Sequence, residues 1–194
     1  MTQIKNQIRE RLEKLPEVLS DPQLLSGKGI GNEIGFYIFD YDPEDEPTVQ
    51  RHLKRELLKK LDFPVLEIHL YQLVMEYLQN NELLEACFEL EQTEGTHALE
   101  EALKDALQID GLAELLHSRV ESHHQMVFIT GVGAAWPMLR SHTVLNNLHD
   151  KLDRLPVIMF FPGTYTGQEL QLFSTFKDDN YYRAFRLLPR GSSQ

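Results

Sequence analysis

Cysteine and tryptophan are nearly absent from this chain of 194 residues: Cys87 and Trp136 are the single representatives of each. A lone thiol excludes an intramolecular disulfide and any cysteine-based zinc site. Its setting, Leu83-Leu84-Glu85-Ala86-Cys87-Phe88, reads as that of a small core residue. Basic residues are scarce too. The 19 Lys and Arg against 30 Asp and Glu give a net charge of −11, the wrong sign for a general nucleic-acid binder. A local exception, Arg51, Lys54, Arg55, Lys59 and Lys60, reads first as a solvated helix face and only second as a DNA contact. No apolar run approaches transmembrane length and no apolar signal segment opens the chain. The expectation is a cytoplasmic protein with no membrane role.

Catalytic and nucleotide signatures are missing as well. A phosphate cradle needs Gly-x-x-x-x-Gly-Lys-Ser/Thr between a strand and a helix, and no such string occurs. Gly27-Lys28-Gly29 precedes a strand instead of following one. Gly131-Val132-Gly133-Ala134-Ala135-Trp136 carries two glycines of a dinucleotide fingerprint, but tryptophan fills the third place. No Gly-x-Ser-x-Gly elbow appears. The adjacent His123 and His124 cannot face one side of a strand, and His142 and His149 lack a clear third ligand. No catalytic residue and no cofactor is assigned, and the chain is expected not to be an enzyme.

What is present is hydrophobic patterning. Ile4, Ile8, Leu12, Leu15 and Leu19 predict an amphipathic helix over residues 2–19, with Pro16 placed to kink or divide it. A glycine-rich link, residues 26–32, leads to a strand at 34–39 and an acidic turn at 40–46. Pro47 opens a helix to about Leu61. A strand at 65–70 and a helix at 72–80 precede an almost wholly helical stretch, about residues 81–122, whose solvent faces are crowded with acids. Strand, helix and strand follow at 126–131, 142–154 and 157–161, then weaker strands at 170–173 and 182–187. Repeated strand–helix–strand order predicts an α/β fold, a mainly parallel sheet with helices on both faces. Residues 1–188 form one domain, with a helical segment at 1–25 and a helical insertion at about 81–122. Pro189-Arg190-Gly191-Ser192 resembles part of a protease-tag scar, so residues 189–194 are set apart as a tail.

In such a sheet, ligands bind outside the carboxyl ends of the strands. The candidate ligand or metal pocket there comprises Asp40, Asp42, Glu67, Gly131 and Gly133, with the three acids meeting across adjacent strands as hard-cation ligands. Trp136-Pro137-Met138-Leu139-Arg140 and Tyr181-Tyr182-Arg183-Ala184-Phe185-Arg186 have the aromatic–arginine composition of interface hot spots. Trp136, Arg140, Tyr181, Tyr182 and Arg183 are therefore the candidate partner-binding residues.

Seven strings across residues 34–187 carry a family resemblance: Phe39-Asp40-Tyr41-Asp42-Pro43-Glu44-Asp45-Glu46, Glu67-Ile68-His69-Leu70-Tyr71, Ile129 to Gly133, Trp136 to Arg140, Leu145 to Leu148, Phe161 to Gly167, and Asn180 to Phe185. Together they resemble the BrxB family of bacterial BREX phage-defence systems. The resemblance implies a small BREX component without assigned catalytic residues. Its implied partners are PglZ, which resembles alkaline phosphatases, and through it the PglX methyltransferase or the large BREX ATPase, with any DNA contact indirect. The implied fold is a P-loop NTPase core that has lost its Walker A loop. The expected role is an assembly scaffold; the alternatives are a metal-dependent enzyme acting on nucleotides or DNA, or a DNA-contacting accessory.

Overall fold

The computed structural model describes residues 2–26, 35–107, 109–139, 155–178 and 184–190. The expected helix at 142–154, with His142, His149 and Asn146-Asn147, lies outside them, as does most of the glycine-rich link.

Helix α1 (Thr2–Leu19) runs through Pro16 unbroken. Proline cannot donate to the carbonyl four residues earlier, so Leu12 loses its helical partner. The imidazole of buried His52 lies against that carbonyl, although its Nε2 makes no formed hydrogen bond. A short helix, α2 (Pro22–Leu25), is capped by Asp21, whose side chain accepts from the Gln23 N–H at 2.7 Å.

Strand β1 is Phe36–Tyr41, two residues later than the sequence pattern suggests. Asp40 therefore belongs to the strand and not to the acidic turn. A 3₁₀ turn (Pro43–Asp45) leads into α3 (Glu46–His52), a π segment (Leu53–Leu57) and α4 (Leu58–Lys60), one rod with Pro47 in its first turn. Strand β2 (Val65–His69) and α5 (Leu70–Asn80) follow, and the helical stretch resolves into α6 (Leu84–Glu94), α7 (Thr96–Ala106) and α8 (Ile109–Ser118). Strand β3 (Met126–Thr130) ends at a short helix, α9 (Val132–Ala135). Strand β4 (Val157–Tyr165) is followed by β5 (Leu170–Leu172), β6 (Phe176–Asp178) and β7 (Phe185–Arg186).

The main sheet has the order β2-β3-β4-β1-β7, and every neighbouring pair in it is parallel. Alternation along the strands divides the core in two. Phe39, Phe128, Ile158 and Phe160 face α1 and the α3 rod, where Leu12, Leu15, Leu19, Leu53 and Leu57 cover them. Ile38, Ile129, Val157, Met159 and Phe161 face α5, α7, α8 and α9. This two-sided burial is why the strands read as continuous apolar runs. The α/β architecture with helices on both faces agrees with the sequence reading.

At Pro162 strand β4 changes partners. Val157 to Pro162 lie beside β1, whereas Gly163, Thr164 and Tyr165 pair antiparallel with Leu172, Gln171 and Leu170. Proline has no N–H to give a ladder, and its carbonyl accepts from Phe173 at 2.9 Å. Gly163 is required here, because a Cβ would strike the Gln171 carbonyl oxygen and come within 3.0 Å of the Phe173 nitrogen. The small hairpin β5–β6 is thereby folded over the carboxyl edge of the parallel sheet.

Candidate functional site

Adjacent strands whose connections leave on opposite faces create a crevice at their carboxyl ends. Here the helices that follow β1, α3 and α4, pack on the face of α1, whereas α5 after β2 and α9 after β3 pack on the other. The crevice lies between β1 and β4, where Asp40 and Asp42 meet Gly163 and Tyr165.

Asp40 is fully buried. Its Oδ2 accepts from the Tyr165 N–H at 3.1 Å and lies 3.0 Å from Arg190 Nε, while its Oδ1 is 3.6 Å from Arg11 and 3.8 Å from Arg186. Three guanidinium groups from α1, β7 and the final described segment thus surround one carboxylate. Arg11 also donates to the Asp40 carbonyl at 2.7 Å and to the Leu188 carbonyl at 3.2 Å, and stacks over Phe39 at 4.4 Å. Burial lowers its pKa from the usual value, and the charge of Asp40 opposes that shift. Arg190 donates to Asp42 Oδ1 at 2.8 Å and to the Gly163 carbonyl. Arg190 falls in the tail that the sequence pattern sets apart, yet it is wired into the crevice.

The expected acid triad is not assembled. Strands β1 and β2 are separated by β4 and β3, about 14 Å at ordinary strand spacing. Glu67 is therefore remote from Asp40, and it accepts from the Thr130 hydroxyl at 3.0 Å. Among the described residues no group of three or more His, Cys, Asp or Glu side chains is arranged to hold a metal ion.

The glycines of the β3 loop are filled by the protein itself. Gly131 has φ +68°, in the left-handed region, and the His69 ring occupies the space a Cβ would need. Gly133 lies beneath Phe173, whose Cε1 would stand 2.8 Å from an added Cβ. Phe173 in turn meets Trp136 edge-on at 6.2 Å, and Phe176 stacks on Trp136 at 4.4 Å. Trp136 is half-buried, and Phe176 is 45% exposed. Phe173 and Ser174 both have positive φ, 53° and 55°. They open the three-residue link between Leu172 and Phe176, and a bulky residue at positive φ is an uncommon choice there. Its ring lies over Gly133.

Sequence reasoning finds Trp136, and Arg186 as part of an aromatic–arginine cluster, but not Phe173, Phe176 or the pairing of Arg11, Arg186 and Arg190 with Asp40. Arg11, three residues after Ile8 and next to Leu12 in the apolar stripe, was the legible signal. Arg140, Tyr181, Tyr182 and Arg183 lie outside the described residues. Cys87 is half-buried on α6 instead of in the core, with its thiol pKa raised by burial, which disfavours a reactive thiolate.

Fold and site together define a parallel α/β protein whose crevice at the carboxyl ends of β1 and β4 is closed by its own arginines and whose neighbouring loop is closed by its own aromatics. The family model for "BREX protein BrxB" matches residues 66–187. The chain is 42% identical over 190 residues to a BREX protein BrxB of Bacillus cereus (strain H3081.97), covering 94% of this chain and 98% of that protein. It is 36% identical over 183 residues to a BREX protein BrxB of Escherichia coli O9:H4 (strain HS), covering 92% and 90% respectively. The chain belongs to the BrxB family of BREX proteins. No solved structure matches it. No helix among the described residues is long and apolar enough to cross a membrane.

Proposed function

We propose that this BREX component serves phage defence as a non-catalytic assembly subunit, a scaffold that binds other BREX proteins, PglZ first among them. One observation carries the reading: the carboxyl edge of the sheet, where an α/β enzyme holds its ligand, is occupied by Arg190, Arg11 and Arg186 on Asp40, and by His69 and Phe173 on the two loop glycines. The parallel order with β1 inside the sheet is compatible with a nucleotide-type core, yet Asp42-Pro43-Glu44-Asp45-Glu46 follows β1 where a phosphate loop would stand. Those carboxylates repel phosphate. The adjoining Trp136–Phe176 pair offers an aromatic anchor of the kind that dominates interfaces.

Co-purification with PglZ at micromolar concentration tests the scaffold; a complete absence of complex would overturn it. Calorimetric titration with magnesium or manganese tests the metal-dependent alternative, and silence at millimolar ion is the expected result. A second reading has its own observation: Arg51, Lys54, Arg55, Lys59 and Lys60 are all exposed along the α3–α4 rod. A DNA-contacting accessory using this face would show gel-shift binding that weakens steeply with salt.

A further inference from the structure

Charge is unevenly placed along this chain. Residues 61–103 contain ten Asp and Glu and no Lys or Arg, which amounts to nearly all of the net charge of −11. Helix α6 lies at the centre of this stretch, and none of its residues is buried. Leu84 and Cys87 pack partly onto the core, but Phe88 beside them is 47% exposed.

The charges of α6 are set against the helix's own stability. Glu85 and Glu89 are four residues apart, a like-charge spacing that destabilises a helix. Glu91 and Glu94 sit in the last turn, at the negative end of the helix dipole, where a cation would be favoured. No basic residue of α6 compensates either arrangement. Phe88 is an apolar aromatic held in water, with Glu85 and Glu91 three residues to either side of it on the helix surface and no basic residue on α6, the complement of a cationic segment with an apolar anchor. The same charge repels phosphate backbones and anionic lipid surfaces, so nucleic acid and membrane do not fit this face.

The geometry points to α6 as a docking surface for a basic amphipathic segment of another protein, seated with an apolar side chain on Phe88 and Lys or Arg residues against Glu85, Glu89, Glu91 and Glu94. This surface belongs to the helical insertion and is independent of the Trp136 edge. Its loss would leave the proposed PglZ contact there intact.

The test uses the full chain and a fluorescein-labelled synthetic amphipathic peptide with Lys on one face and Leu on the other, read by fluorescence anisotropy. Binding is expected to weaken as salt rises from about 50 to about 300 mM. Glu85→Lys with Glu89→Lys is expected to reduce affinity about tenfold or more, and Phe88→Ser about tenfold at every salt concentration. Glu10→Lys with Glu13→Lys on α1 supplies the same charge change elsewhere and is expected to alter affinity less than about twofold. Thermal melting of each variant separates lost binding from lost fold, and the exposed Phe88→Ser keeps the test open if charge reversal perturbs α6. Equal weakening by the α1 reversals, or unchanged binding by Phe88→Ser, would overturn the proposal. So would self-association of the free chain abolished by Phe88→Ser, which would assign the face to a second copy.

Discussion

Replacing Asp40 with Asn removes one charge from the crevice while keeping its size and an oxygen for the Tyr165 N–H. The consequence follows from what surrounds it. Arg186 and Arg190 have side chains 35% and 29% exposed and relax toward water when the carboxylate goes. Arg11 does not: its side chain is 12% exposed and tied to the Asp40 and Leu188 carbonyls. Its charge would be stranded. Breaking a buried pair by removing one partner costs about 3–5 kcal/mol, and the retained oxygen argues for the lower end. At this chain length each kcal/mol moves the melting temperature by roughly 2–4 °C. Asp40→Asn should therefore melt about 6–12 °C below the parent, measured by circular dichroism. Arg11→Met added to Asp40→Asn removes the stranded charge and should recover part of the loss, because contacting residues are not additive. If Asp40→Asn melts within about 2 °C of the parent, or the double variant is no more stable than the single one, the arginines do not depend on this carboxylate.

Three further outcomes are expected. Gly131→Ala should lose about 1–3 kcal/mol in urea unfolding, because its φ of +68° disfavours a side chain and His69 fills the space; His69→Ala should relieve the steric part and leave the backbone part. Burial holds the His52 pKa below its ordinary value, with Glu56 pulling the other way. The unfolded chain then binds the proton more readily, so stability is fully present above about pH 6.5 and falls as pH drops toward the lowered folded pKa; His52→Gln should flatten the urea-midpoint difference between about pH 7.5 and about pH 5.5. Trp136→Ala or Phe176→Ala should weaken PglZ binding by about 2 kcal/mol or more, roughly thirtyfold in affinity by calorimetry, with Phe176→Ala leaving the melting temperature near that of the parent because that ring is 45% exposed.

Local patterns were legible where one local force decided them. The α1 stripe, the two-sided strands at 65–69, 126–130 and 157–161, and Pro47 at a helix start each follow from spacing within a few residues. Boundaries failed where tertiary partners extended or moved an element. Pro162-Gly163 reads as a strand end, yet β4 continues to Tyr165 because β5 supplies an antiparallel ladder. Asp40 reads as part of a solvated turn, yet it is buried in β1 because arginines neutralise it. Pro16 reads as a residue that kinks or divides the helix, yet α1 is not divided, and His52 is set against the carbonyl the proline leaves without its helical donor.

The sequence alone determined the class of fold, the family and the poverty of nucleotide motifs, since these reside in periodicity, in contiguous strings and in absent ones. Only the tertiary structure decided what the carboxyl edge of the sheet contains. Arg11 and Arg190 reach Asp40 and Asp42 across 29 and 148 residues of chain, and Glu67 is kept away by two intervening strands. Strand order sets those meetings, and it is fixed by which crossover each helix can cover, a property of the packed sheet that no local spacing records.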